Sequence, residues 1–256
     1  MPGFRLFMTV LVARPAEPLE YAIMAAAVIA MGLVSAITVM MALADSVYIA
    51  GPAPLGNFDP VFYTGPFESL EPQASWLSLY TSVRSGVEGL FAPLLASYSW
   101  VILLFYSVTS GILLHPVLSK IRSQLPFAFY RTGLTPGRAY FYSLLYSYAY
   151  SLPLLGSVLA SPLLASVWAS LDFPLVYSSS EMVYTMVSVS LIPLVFSSLY
   201  LATGRTDLSL LASILASASF YLLPLIAGFN PILPVLAVIG VSSWTGARVS
   251  AWRWAY

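Results

Sequence analysis

Five stretches of this chain run for about 20 residues or more with almost no charge, a sixth is slightly shorter, and together they constrain the fold more than anything else in it. An α-helix rises about 1.5 Å per residue, so a run of that length crosses the roughly 30 Å hydrocarbon core of a bilayer. The expected spans are residues 21–44, 89–118, 139–161, 183–203, 208–228 and 232–247, with a kink at Pro153 and a break at Pro162 in the third. Composition agrees. Charged residues make up 8% of the 256, against roughly 25% in a soluble domain. With 59% hydrophobic residues, most of the surface must face lipid.

The last two runs are separated only by Phe229-Asn230-Pro231. Read as one helix they would overrun the bilayer. Asn-Pro is a turn dipeptide, and proline disfavours helix at the residue before it, so two helices joined by a tight turn are expected.

Arginine and lysine in the loops set the orientation. With both termini cytoplasmic, the inner segments hold Arg5, Arg14, Lys120, Arg122, Arg131, Arg138, Arg205, Arg248 and Arg253, and the outer ones only Arg84. The expected fold is thus an all-α integral membrane protein, multi-pass in the cell membrane, forming a single transmembrane domain. Phe4, Phe7, Met8, Leu11 and Val12 share one helical face, which predicts an interfacial helix over about 4–13 ahead of the first span. Residues 45–88 form an outer loop rich in glycine, proline and aromatics, and residues 119–138 form an inner loop.

Much chemistry is absent. The chain has no cysteine, which excludes disulfides, thiolate catalysis and iron–sulfur ligation. Its one histidine, His115, lacks the partners that a metal or haem site takes, and reads as a hydrogen-bonded residue near a helix end. The sole lysine, Lys120, lies between Ser119 and Ile121, so no phosphate-binding G-x-x-x-x-G-K-[ST] loop exists. The central parts of the spans carry no Asp, Glu, Lys or Arg, which argues against ion-coupled transport. No catalytic residue, cofactor site or metal site is expected in this chain, and no nucleic-acid partner.

Two polar patterns remain. The inner loop is basic at both ends and aromatic between, with Arg122, Phe127, Phe129, Tyr130, Arg131, Thr135 and Arg138. Such a segment either docks on a partner or anchors in the headgroup region. In the third span Tyr142, Tyr146 and Tyr150 recur every four residues, over about 12 Å. They either line a path for an uncharged or amphipathic solute or anchor an interface. Beside them run Ser143, Ser147 and Ser151, and the fifth span repeats the pattern with Ser209, Ser213 and Ser217. Ridges of this kind let helices pack closely in lipid.

This plan resembles the permease subunit of type-2 ABC transporters. The stretch Tyr130-Arg131-Thr132-Gly133-Leu134-Thr135-Pro136-Gly137-Arg138 is similar to the family's Leu-Thr-Pro-Arg segment, and Phe229-Asn230-Pro231 to the Asn-Pro before its last span. The glutamates often found ahead of the family's motif are missing from Lys120 to Phe129. The resemblance implies that Arg122 to Arg138 meets a separate ATPase subunit, which binds ATP and Mg²⁺. It also implies that a second permease copy or paralogue completes the pathway and that a solute is moved, with export expected. A non-transporting scaffold or assembly subunit of a larger membrane complex is the alternative. An intramembrane enzyme acting on lipid is disfavoured, because no acid–base constellation is visible.

Overall fold

The computed structural model describes residues 18–50, 94–95, 97–168 and 180–254; for 47–50, 125–132, 161–168, 180–182, 225 and 249–254 it describes the backbone alone. The interfacial helix expected at 4–13, residues 51–88 of the outer loop and residues 89–93 at the start of the expected second span lie outside the described residues. The rest is helical, with no strand among the described residues: α1 Pro18–Ala50, α2 Ser99–Thr132, α3 Pro136–Trp168, α4 Ser180–Thr203, α5 Thr206–Ala227 and α6 Ile232–Trp254.

Two expectations from sequence are corrected here. The segment 119–138 is not a loop, since α2 continues to Thr132 and only 133–135 separates it from α3. Residues 119–132 contain no glycine, and the helix stops where Gly133 supplies a φ of 62°. Pro136 then opens α3 at a position where a missing N–H costs nothing, and Ala139 N–H closes the first turn on Thr135 O at 3.0 Å. The second correction concerns Pro162, which does not break α3; the helix runs on to Trp168. Pro162 cannot donate to Val158 O four residues back, but the Ser35 hydroxyl of α1 donates to that carbonyl at 3.3 Å. Ahead of Ser99, residues 94, 95 and 97 are also helical, and Tyr98 N–H donates to Leu94 O at 3.0 Å.

The Phe229-Asn230-Pro231 break is built by local hydrogen bonds. Gly228, at φ 60°, donates to Pro224 O at 3.2 Å, and Phe229 N–H reaches Leu223 O at 3.4 Å. Asn230 Oδ1 then accepts from Ile232 N–H at 3.0 Å and caps α6.

Helices α2, α3 and α4 pack on one another as a central triangle. Each outer helix fills a groove between two of them: α1 between α2 and α3, α5 between α2 and α4, and α6 between α3 and α4. One cluster, with Met31, Leu103, Tyr106, Leu113, Leu154, Ile192, Val195 and Phe220, occupies one half of the bundle. A second, with Leu114, Leu118, Ile121, Tyr140, Phe196 and Leu201, occupies the half near the α2–α3 turn.

The polarity is that of a protein built for lipid. Ser107, Ser110, Ser143, Ser147, Ser188, Ser197, Ser198, Ser209, Ser213 and Ser217 are buried, whereas Ile29, Leu33, Ile37, Ile112, Leu211, Leu215, Ile226, Leu233 and Val241 are exposed. Water would reverse that sorting, because apolar side chains gain most from burial there. Apart from that of Ser197, these hydroxyls close on carbonyls of their own helix, as in Ser143 to Ala139 O at 2.8 Å and Ser217 to Ser213 O at 2.9 Å. Small side chains so satisfied let helix backbones approach. Four helical segments are long and apolar enough to cross a membrane: Pro18–Ser46, Ser99–Gln124, Val183–Thr203 and Thr206–Pro224. An apolar stretch of α6, Ile232–Arg248, is shorter. The chain is an all-α membrane protein.

Candidate functional site

Successive helices alternate in direction, so one end of the bundle collects the start of α1, the α2–α3 turn, the α4–α5 turn and the end of α6. Lys120, Arg122, Arg138, Arg205 and Arg248 all fall at this end. The opposite end holds Asp45, to which the Tyr98 hydroxyl donates.

Each basic side chain has its own setting. Lys120 Nζ lies 3.6 Å from Glu20 Oε1, joining α2 to the first turn of α1. Arg122 Nη1 donates to Tyr200 O at 3.3 Å in the last turn of α4. That carbonyl also accepts the Gly204 N–H at 2.7 Å. The guanidinium therefore sits at the negative end of the α4 dipole. It lies so close to Gly204, at φ 73°, that an added Cβ would overlap it. Arg205 pairs with Asp207 at 2.8 Å on an exposed surface. Arg248 lies over the Trp244 ring, 4.2 Å from its centre, an aromatic–cation pair suited to a headgroup boundary.

Of the candidate docking residues, Thr135 and Arg138 are exposed beside the turn, and Arg122 is half-buried against α4. Phe127, Phe129, Tyr130 and Arg131 belong to the helical backbone of α2, and their side chains lie outside the description. The segment is thus a helical extension of a span, turned back on itself within three residues.

The tyrosine row does not face the centre of the triangle. Ser143, Ser147 and Ser151 hold the buried face of α3, at 0–1% exposure. Tyr142, Tyr146 and Tyr150, one position back, are half-buried at its flank. The Tyr146 and Tyr150 rings lie 6.5 Å apart, and Glu20 and Tyr21 of α1 are near enough to act on both electrostatically. Tyr146 and Tyr150 therefore lie on the side of α3 toward the first turn of α1, while the Tyr142 ring lies 6.2 Å from that of Phe141. His115 makes an edge contact with Tyr200, at 5.5 Å between ring centres, and Tyr200 stacks on Phe196 at 6.0 Å.

Sequence reasoning missed the strongest polar tie at this end. Buried Tyr140 of α3 donates to Ser198 O of α4 at 2.5 Å, and its ring rests on Gly246 of α6. Ser242 of α6 donates to Ser198 Oγ at 2.9 Å. One tyrosine, two serines and one glycine so fasten three helices. Their spacing along the chain carries no motif, since the residues are 58 and 44 positions apart.

Among the described residues no group of three or more His, Asp or Glu side chains comes together as a metal site. Among the described residues the arrangement offers a basic face at one end and an interior packed with apolar and hydroxyl side chains. No protein-family model, curated protein or solved structure matches this chain.

Proposed function

We propose that this chain is the membrane-embedded permease half of an ATP-driven transporter of the type-2 ABC kind. In this reading all six helices cross the cell membrane, both termini and the basic end are cytoplasmic, and a separate subunit hydrolyses ATP. The observation that carries the reading is the helical continuation of α2 through Lys120 and Arg122 to Thr132, followed by a turn of three residues into α3. A partner's movement at such an extension is passed to two helices of the central triangle as a rigid lever. A flexible loop would absorb it. The Arg131-Thr132-Gly133-Leu134-Thr135-Pro136 stretch that resembles the family's motif spans that turn.

A second copy or paralogue completes the transporter. The triangle is filled by side chains such as Tyr106, Leu113, Leu154 and Ile192, so a pathway for solute runs between two copies. The packed centre equally favours the second reading, a scaffold or assembly subunit with no pathway. Purification in mild detergent with assay of ATP hydrolysis separates them. The permease reading expects a co-purifying ATPase that is lost when Phe129 and Arg131 are both changed to alanine. A stable chain isolated from its native membrane without any ATPase contradicts it.

A further inference from the structure

Two hydrogen bonds between helices in the half of the bundle away from the basic end share an unusual acceptor. Ser35 of α1 donates to Val158 O of α3, and Tyr184 of α4 donates to Phe220 O of α5, at 3.3 and 2.9 Å. Each acceptor lies four residues before a proline, Pro162 and Pro224, whose missing N–H leaves that carbonyl without its helical donor. In lipid an unsatisfied carbonyl is costly, and a hydroxyl on the neighbouring helix is the nearest substitute for water. At the basic end the ties are of another kind. Tyr140 and Arg122 reach Ser198 O and Tyr200 O, and neither acceptor precedes a proline by four residues.

One of the two acceptor residues, Val158, and the neighbour of one of the two donors, Thr185, line a small apolar cleft among α2, α3 and α4. Val158 lines the cleft together with Ile102 and Val189, and Thr185, next to Tyr184, closes its other side. Proline is where helices bend most readily, since one rung of the ladder is already absent.

We propose that Ser35 and Tyr184 are latches. They hold the ends of α3 and α5 straight against α1 and α4, and release lets those ends swing at Pro162 and Pro224 and opens the cleft to water. The basic end, fastened through Tyr140, Ser198 and Ser242, stays closed during this motion. The inference does not depend on the ATPase reading, because it concerns the bundle alone.

The natural absence of cysteine allows a direct test. Val189→Cys places one thiol in the cleft wall, and a charged, water-soluble maleimide is added to both sides of membranes holding the full chain. Labelling is expected to be slow in this background, roughly three- to tenfold faster with Ser35→Ala or Tyr184→Phe, and unchanged with Ser190→Ala. The Ser190 hydroxyl closes on Val187 O of its own helix, so its loss frees no latch. Restoring the missing N–H removes the need for a latch. Ser35→Ala with Pro162→Ala, and Tyr184→Phe with Pro224→Ala, should therefore return to the slow rate. Equal labelling with and without the hydroxyls overturns the proposal. So do double variants that label as fast as the single ones, which would show general loosening and no hinge.

Discussion

The ammonium of Lys120 lies 3.6 Å from the carboxylate of Glu20, so the only lysine in the chain ties α2 to the first turn of α1. Both side chains are about a quarter exposed, at 27% and 20%. Partial screening limits such a pair to about 1 kcal/mol. Glu20→Gln should lower the thermal midpoint in detergent slightly, and more at low salt than at high salt. Reversing the pair, with Glu20→Lys and Lys120→Glu together, should recover most of the loss. Equal destabilisation by the single and double changes would show that the pair does not couple.

Gly246 is required by the ring beneath it. A Cβ there would stand 2.6 Å from Tyr140 Cε2 and 2.8 Å from its hydroxyl, which is itself held on Ser198 O. Gly246→Ala should destabilise the bundle by about 1–3 kcal/mol through overpacking. Tyr140→Ala in the same chain should relieve the clash but lose the bond. Thermal unfolding followed by tryptophan fluorescence would then show strong non-additivity between the two sites.

Arg122 and Gly204 make a similar pair at the end of α4. Arg122→Ala removes a donor and a positive charge from the helix terminus, a loss of about 0.3–1 kcal/mol. Arg122→Lys should recover part of it, because the charge remains while the planar donor is lost. Gly204→Ala should cost more than Arg122→Ala, since it adds backbone strain at φ 73° to the collision with the guanidinium. Denaturation midpoints of the three variants check that order.

How much of this was legible beforehand depends on the range of the signal. Helix positions are largely written locally, in charge-free runs of which those of α4 and α5 end at Gly204 and Gly228, and these follow from hydropathy and turn chemistry. The tight turn at Asn230 was legible for the same reason. The extension of α2 to Thr132 was not, because a basic, proline-containing stretch reads as a loop when only composition is weighed. The continuity of α3 past Pro162 was hidden differently. The donor that satisfies Val158 O is Ser35, 123 residues earlier in the chain. The buried serine face of α3 and its half-buried tyrosine flank were both visible as period-four rows, yet only packing decides which of them turns inward.

An apolar exterior also has a thermodynamic signature. Exposed Ile29, Leu33, Leu211, Leu215 and Leu233 need lipid or detergent around them. Leu211→Ser and Leu215→Ser should therefore leave the folded bundle intact in detergent while weakening membrane insertion. The check is the fraction recovered from the membrane pellet. A much larger loss of thermal stability in detergent would show that this face packs against protein.

The most direct measurement is the sidedness of the turns, made with single cysteines in the naturally cysteine-free chain. Cysteine placed at Leu134, at Thr203 and at Asn230 is treated with a membrane-impermeant thiol reagent in sealed vesicles of known orientation. If the bundle spans the bilayer with its basic end in the cytoplasm, positions 134 and 203 react only from the cytoplasmic face and position 230 only from the opposite one. Reaction of 134 and 230 from the same face would contradict a spanning bundle of this topology, and with it an ATPase docked at the basic end.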